Sequence, residues 1–176
     1  MSQISPVIFN EFLHAYAREL ATLAYKSLLM EVCLTPKPGL VDCSNSGAHR
    51  DMNFLTFYQS AKVITPYLQE FVLLGARYHQ LPVNDCLPYI RTLGQQCEQA
   101  MFDATLGVNT HKGAIFAFGL VCSALGRLYY QRQEKSPAIE VSKTVQAMCQ
   151  GMVKRELQQA DCLNTAGGLA YHYHGL

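Results

Sequence analysis

Apolar residues recur at helical spacing along most of the chain. A first helix is predicted from about residue 6 to residue 34. Its expected apolar face contains Ile8, Phe12, Tyr16, Leu20, Leu23, Ser27 and Met30. Pro36 and Pro38 should end this helix, because each lacks a backbone donor and restricts the residue before it.

The same spacing predicts further helices at about residues 53–79 and 85–105. Pro66 is expected to bend the first of these, and Pro88 lies in the opening turn of the second. A later helix should run from Pro137 to about Gln159, with Ser136 as its capping residue.

Residues 114–130 are apolar on nearly every side of the predicted helix, which is typical of a central buried element. No segment shows the alternation of period two that indicates a strand. The pattern therefore predicts an all-α fold, a compact multi-helix domain around the helix at about 114–130. The whole chain, residues 1–176, is expected to form this single domain.

The composition indicates which binding partners and which cellular location to expect. The net charge is only +1, so no overall field attracts nucleic acid or an anionic membrane. The seven cysteines are odd in number and form no C-x-x-C pair, which favours reduced thiols and a cytoplasmic location. No uninterrupted apolar run reaches the roughly 18–20 residues of a membrane span. The high apolar fraction of 49% favours extensive burial between helices. Apolar surface is also expected to be buried in a homo-oligomer interface or against a missing partner segment.

Residues 35–52 form a polar connection that is about twice as long as helical proteins favour. It carries Lys37, Gly39, Asp42, His49, Arg50 and Asp51. Lysine and arginine bind phosphate oxygens, carboxylates hold Mg²⁺, and Asp or His accepts a proton from a hydroxyl. The alternative is an ordinary connection in which Asp51 or Asn53 caps the next helix, and for Asn53 we prefer that interpretation.

Residues 107–113 form a second connection, which ends where the central helix begins. It contains Gly107, Asn109, Thr110, His111, Lys112 and Gly113. Free N–H groups and the helix dipole favour anions at such a position, and lysine adds a full positive charge. The alternative is a glycine C-cap followed by an N-cap, with Thr110 as the capping residue.

Two acidic residues lie late in apolar helices that lead into these connections. Glu31 precedes the first connection and Glu98 precedes the second. Either side chain could face the predicted site or be exposed to solvent, as acidic groups on helix faces usually are. Of the two, Glu31 is the better candidate.

Two long segments resemble a known family. They are LLMEVCLTPKPGLVDCSNSGAHRDM (residues 28–52) and CEQAMFDATLGVNTHKGAIFAFGLV (residues 97–121). Both are similar to the signature segments of the triphosphoribosyl-dephospho-coenzyme A synthase family. The resemblance extends from the first helix to Thr165-Ala166-Gly167.

The resemblance implies a transferase that joins the triphosphoribosyl group of ATP to the 2′-hydroxyl of 3′-dephospho-CoA and releases adenine. The product is the precursor of the prosthetic group on the acyl carrier subunit of citrate lyase or malonate decarboxylase. Under this hypothesis Lys37, Lys112 and Arg50 bind phosphate, while Asp42 and Asp51 hold Mg²⁺ or the ribose, with Glu31 as an auxiliary ligand. His49 or His111 is the proton-transfer candidate, and Asp42 is a further candidate catalytic group.

The chain departs from the family pattern in two places. Position 43 is Cys where relatives often carry Arg, so one phosphate contact is expected to be missing. Relatives continue well beyond Gly167 with an Arg-Gly-Glu segment, so the chain is expected to be the N-terminal portion of a longer family domain. A complementing C-terminal segment is one expected partner. The alternative function is a truncated, non-catalytic helical module that binds nucleotide or self-associates.

Overall fold

The computed structural model describes residues 6–152 and residue 173. Within these residues the regular secondary structure is helical, and no strand is present, which confirms the all-α prediction. The α-helices are α1 (Pro6–Cys33), α2 (Phe54–Arg77), α3 (Leu87–Ala104), α4 (Lys112–Arg132) and α5 (Ala138–Met148), and a short 3-10 helix lies at Val83–Cys86. The predicted continuation of the last helix to Gln159 lies outside the described residues.

The face that α1 buries agrees with the predicted one at Tyr16 and Leu20 but differs elsewhere. Phe12, Leu23 and Met30 are at least half exposed. The buried stripe is instead Leu13, Tyr16, Ala17, Ala21, Ala24, Leu28 and Val32. The prediction followed the largest apolar side chains, whereas the fold uses a row of small alanines, which lets neighbouring helices approach closely.

Helix α4 occupies the centre of the fold and packs most extensively on α2, with further contacts to α1, α3 and α5. Two glycines set the distance between α2 and α4. A Cβ atom on Gly75 would lie 1.9 Å from the carbonyl oxygen of Ser123, and one on Gly126 would lie 1.8 Å from that of Val72. The two backbones therefore touch at this crossing, and no larger residue fits there without separating the helices.

Helix α4 is less enclosed than its sequence predicts. Phe116, Val121 and Tyr130 remain about 40% exposed, because α1, α2, α3 and α5 together cover only part of its circumference. By length and composition α4 could cross a membrane, but half of its most apolar window is buried inside the fold. It also carries Arg127, whose buried guanidinium donates hydrogen bonds to the carbonyl oxygens of Tyr78 and Leu81. These contacts are those of a core helix.

The helix boundaries largely agree with the sequence. Asn53 caps α2 through a reciprocal pair of hydrogen bonds with Thr56, as preferred above, and α2 runs continuously through Pro66. The prediction for α5 is wrong in one respect, since Pro137 is the residue before the helix and Ser136 makes no capping bond.

Candidate functional site

The connection between α1 and α2 is folded around the carboxylate of Asp42. Its Oδ1 atom accepts backbone hydrogen bonds from Ser44 (2.8 Å) and Asn45 (2.9 Å), and its Oδ2 atom accepts one from Lys37 (3.3 Å). The bonds from Asn45 and Ser44 hold the pKa of Asp42 below its usual range. The side chain is buried, and both oxygens are engaged. Asp42 therefore organises this loop, and its predicted roles as Mg²⁺ ligand and catalytic group stay predictions.

Gly47 allows the loop to fold back on itself. Its φ angle is +57°, and a Cβ atom at this position would lie 2.5 Å from the carbonyl carbon of Gly39. Only glycine fits both conditions. The sequence analysis did not select Gly47, although it lies in a glycine- and serine-rich stretch where a tight turn is expected.

The side chain of Lys37 turns back towards the end of α1. Its Nζ atom donates hydrogen bonds to the side-chain Oε1 of Glu31 (3.0 Å) and to the backbone oxygen of Glu31 (2.9 Å). Only 14% of the Lys37 side chain is exposed, whereas 58% of that of Glu31 is. The loop thus places Lys37 in a defined position and pairs it with Glu31.

The second connection begins with two residues of positive φ, Leu106 (+56°) and Gly107 (+86°). The Gly107 N–H donates to the carbonyl oxygen of Phe102 (2.8 Å), which closes the end of α3. The left-handed position that glycine usually takes is filled by Leu106, whose side chain is 95% exposed. The predicted cap of α4 is also different, because Asn109 Oδ1 accepts from the Lys112 N–H (3.2 Å) and Thr110 does not cap.

Thr110 instead joins a buried chain of hydrogen bonds. Its hydroxyl donates to the hydroxyl oxygen of Ser60 (2.7 Å), and that oxygen lies 2.7 Å from Nδ1 of His111. Ser60 comes from α2 and is fully buried. Ser60 is not among the predicted site residues, because the position of a single serine in an apolar helix does not indicate a functional role.

His111 is enclosed on several sides. The ring of Phe57 meets it edge-on at a centroid distance of 5.1 Å, and its own backbone N–H points to the Sδ atom of Met101 (3.2 Å). Burial lowers the pKa of His111 to about 4, and the carboxylate of Glu31 partly opposes this shift. The ring is therefore neutral at neutral pH.

The carboxylate of Glu31 acts electrostatically on the ring of His111, because it raises the pKa of that histidine. Lys37 of the first connection binds Glu31, and the same carboxylate acts electrostatically on the ring of His111 in the second. Lys112, the next residue, pairs with Glu98 of α3 at 3.3 Å. The lysines of both connections are thus each paired with a glutamate, and we refer to Glu31, whose charge acts on His111, as the shared link.

His49, Arg50 and Asp51 make no hydrogen bond or ion pair with Glu31, Lys37 or His111 in the described residues. The Nδ1 atom of His49 is 3.7 Å from Oδ1 of Asp51, and both side chains are exposed to solvent. Arg50 is exposed and has no hydrogen bond or ion pair within residues 6–152. No hydrogen bond or ion pair joins these three residues to the second connection in the part of the chain that the structure describes.

The structure leaves space for a ligand to approach the protein backbone at three glycines of the two connections. A Cβ atom on Gly39, Gly107 or Gly113 would meet no other atom within 4 Å. The predicted metal ligands Asp42, Asp51 and Glu31 do not form a cluster: in the described residues no group of three or more His, Cys, Asp or Glu side chains could hold a metal ion.

Comparison with known proteins places this site in a family context. A family model described as ATP:dephospho-CoA triphosphoribosyl transferase matches residues 17–170. A probable 2-(5''-triphosphoribosyl)-3'-dephosphocoenzyme-A synthase of Albidiferax ferrireducens is 52% identical over 154 residues, which cover 88% of this chain and 51% of the relative. A probable synthase of the same name from Citrobacter koseri is 46% identical over 98% of this chain and 55% of its own length.

The 2-(5''-triphosphoribosyl)-3'-dephosphocoenzyme-A synthase of Haemophilus ducreyi is 53% identical over 73% of this chain and 41% of its own length. The chain therefore spans about half the length of the curated relatives it matches. No solved structure matches the chain.

Proposed function

The chain belongs to the ATP:dephospho-CoA triphosphoribosyl transferase family, and from this we propose that it provides the nucleotide-binding part of such a transferase. The reaction would join the triphosphoribosyl group of ATP to the 2′-hydroxyl of 3′-dephospho-CoA and release adenine. The product would be the precursor of the prosthetic group of an acyl carrier subunit, that of citrate lyase or malonate decarboxylase. The observation that carries the proposal is the meeting of the two polar connections at Glu31.

The bond changes define what the site must do. The bond between C1′ of the ATP ribose and adenine breaks, and a bond from C1′ to the attacking 2′-oxygen forms. The hydroxyl proton passes to a base, and the leaving adenine takes up a proton. Positive charge develops at C1′ during the transfer, so a nearby carboxylate stabilises the transition state. The triphosphate must be held throughout by cations and N–H donors.

Phosphate binding is assigned to the two lysines and the start of α4. Lys112 lies at the first residue of α4, where the helix dipole and free N–H groups add to its charge. Lys37 is held at the shared link, and Arg50 is an exposed cation without a partner in the described residues. Each lysine is already paired with a glutamate, so ATP would compete with those carboxylates or recruit them.

Glu31 suits the role of the carboxylate nearest the reacting ribose. It is more than half exposed, it lies at the junction of both connections, and Lys37 keeps it in place. Its charge also reaches His111. Asp42, which was the other candidate, contributes by shaping the loop that positions Lys37.

Proton transfer is assigned to His49. Its Nδ1 faces the carboxylate of Asp51, which leaves Nε2 free to accept the proton of a hydroxyl. His111 is less suited to this role, because its ring is buried and Nδ1 is already bonded to Ser60. This assignment requires His49 to move towards Glu31 when the substrates are bound.

Mg²⁺ fits this site as a companion of ATP. It usually binds through one or two carboxylates together with substrate phosphates, so a preformed protein cluster is not required. Glu31 and Asp51 are exposed carboxylates that could each supply a ligand. The ion would neutralise charge on the triphosphate when bound.

The cellular setting and the assembly are also proposals. Six free cysteines in the described residues support a reducing, cytoplasmic location. Because the chain spans about half of its relatives, a complementing C-terminal segment is proposed as a partner, with self-association as the alternative.

The decisive experiment combines an activity assay with a binding assay. The 176-residue chain is incubated with ATP, Mg²⁺ and 3′-dephospho-CoA, and free adenine is measured; ATP binding is measured separately by calorimetry. The assay is repeated with the remaining C-terminal part of the Citrobacter koseri relative added as a separate polypeptide. Adenine release in either assay supports the proposal, whereas the absence of both adenine and saturable ATP binding overturns it.

Saturable ATP binding without adenine release, even after complementation, would identify the alternative function. The chain would then be a nucleotide-binding helical module without transferase activity.

A further inference from the structure

The hydrogen-bond chain from Thr110 to Ser60 to His111 connects parts of the sequence that lie about fifty residues apart. Both of its distances are 2.7 Å, which is typical of strong hydroxyl hydrogen bonds. Ser60 has no exposed surface, and His111 is nearly buried.

The direction of the hydrogen bonds along this chain decides the tautomer of His111. The oxygen of Ser60 accepts the hydroxyl proton of Thr110. The proton of Ser60 itself has one acceptor within the described residues, which is Nδ1 of His111. With Thr110 donating to Ser60 and Ser60 donating to His111, Nδ1 is the unprotonated ring nitrogen, because a neutral imidazole has one donor and one acceptor. The ring proton is then on Nε2.

The ring of His111 is enclosed by neighbouring residues. Phe57 packs edge-on against it, and the backbone N–H of His111 is directed to Met101. Among the described residues Nε2 has no hydrogen-bond partner. It is thus the ring atom left to contact a ligand at the link between the two connections.

We propose that Ser60 is a positioning residue that holds His111 as a neutral Nε2–H donor, and that this donor binds an anionic oxygen of the nucleotide triphosphate. The inference rests on the proposed function for the identity of the ligand. Lys112, the neighbouring residue, supplies positive charge beside this donor. His111 then acts by hydrogen bonding, and the proton of the attacking hydroxyl goes elsewhere.

The first test observes the tautomer directly and needs no activity. The chain is labelled with ¹⁵N-histidine, and long-range ¹H–¹⁵N correlations at pH 7 report which ring nitrogen carries the proton. The His111 signal is identified by its loss in His111→Gln. The wild type should show the Nε2–H form, and Ser60→Ala should show a mixture of both neutral forms.

Ser123→Ala is the matched control. Ser123 is equally buried, lies on α4, and has a hydroxyl without a partner in the described residues. It should leave the His111 signals unchanged. Proton on Nδ1 in the wild type overturns the inference even if Ser60→Ala fails to fold, and so do identical His111 signals in the wild type and in folded Ser60→Ala.

The second test separates a hydrogen-bond donor from a base, with ATP as the probe in calorimetry. His111→Gln keeps an N–H donor near the position of Nε2 and should bind ATP within about threefold of the wild type, since a retained hydrogen bond keeps its free energy. His111→Leu removes the donor and should bind ATP at least about tenfold more weakly. Equal binding by Gln and Leu variants overturns the donor role.

The two proposals fail in distinguishable ways. If the wild type neither binds ATP nor releases adenine, the proposed function fails, while the NMR experiment still reports on the role of Ser60. If ATP binds normally but the wild-type tautomer is Nδ1–H, only the inference about Ser60 and His111 fails.

Discussion

Lys37 donates a 3.0 Å hydrogen bond to the carboxylate of Glu31, six residues earlier in the chain. The same carboxylate raises the pKa of His111, against the larger lowering by burial. One exposed acidic group therefore binds a cation of the first connection and acts electrostatically on a buried histidine of the second. This relationship supports the hypothesis that two polar segments, about seventy residues apart, form one site.

Lys112→Ala should weaken ATP binding by about tenfold, because a hydrogen bond to a charged group contributes roughly 1.5–3 kcal/mol. The side chain is 57% exposed and its pairing with Glu98 is at the surface, so the free energy of unfolding should change by less than about 1 kcal/mol. Calorimetry with ATP and urea unfolding measure the two quantities. Lys143→Ala, an exposed lysine on α5, is the control and should bind ATP normally. Unchanged affinity in Lys112→Ala would remove Lys112 from the site.

The buried His111 should make stability depend on pH between neutrality and mild acid. Its pKa falls from 6.5 in the unfolded chain to about 4 in the native state. Between these values the unfolded chain binds more protons, so stability is complete above about pH 6.5 and declines towards pH 4. From pH 7 to pH 5 the wild type should lose about 2 kcal/mol more than His111→Gln does.

Urea unfolding at the two pH values measures this difference. Asp42 does not interfere, because its pKa lies below its ordinary value of 3.8 and the group stays ionised at pH 5. An equal pH dependence in the wild type and in His111→Gln would show that the histidine is not buried in its neutral form.

Gly126→Ala should destabilise the protein by at least about 2 kcal/mol, because the added Cβ would overlap the backbone oxygen of Val72 and push α2 and α4 apart. Thermal and urea unfolding measure this loss. Gly94→Ala is the matched control on α3, where a Cβ meets no atom within 4 Å, and it should gain about 0.5–1 kcal/mol. A fully stable Gly126→Ala would contradict the close crossing of the two helices.

Asp42→Ala should loosen the first connection without unfolding the helices. The backbone N–H groups of Lys37, Ser44 and Asn45 lose their acceptor, so their amide exchange should become faster. Hydrogen exchange followed by mass spectrometry on peptides from residues 35–52 detects this, with peptides of α4 as the internal reference. If exchange in the loop stays as slow as in the wild type, the carboxylate does not organise it.

Leu106→Gly should stabilise the protein by about 0.5–1 kcal/mol, because glycine adopts the left-handed conformation without the steric cost that leucine has there. The leucine side chain is 95% exposed, so its removal exposes no core. Leu106→Ala keeps the cost and should show no comparable gain in urea unfolding. A loss of stability in the glycine variant would mean that the side chain has a contact beyond those described.

The helices were accessible to sequence reasoning because apolar spacing, prolines and capping residues act locally. Asn53 was correctly preferred as a cap, and Pro88 correctly placed in the opening turn of α3. The buried face of α1 was not predictable in the same way. Choosing Ala17 and Ala21 over Phe12 and Leu23 depends on how closely another helix approaches, which is a tertiary property.

The sequence by itself determined the all-α class, the two polar connections and the family, because these follow from local periodicity and from long matching segments. Only the tertiary structure decided the roles within the site. It engaged Asp42 in the loop, paired each lysine with a glutamate, and brought Ser60 from α2 to the ring of His111. Hydrogen bonds between residues fifty positions apart depend on how the helices pack. The spacing of residues within one segment does not reveal that packing.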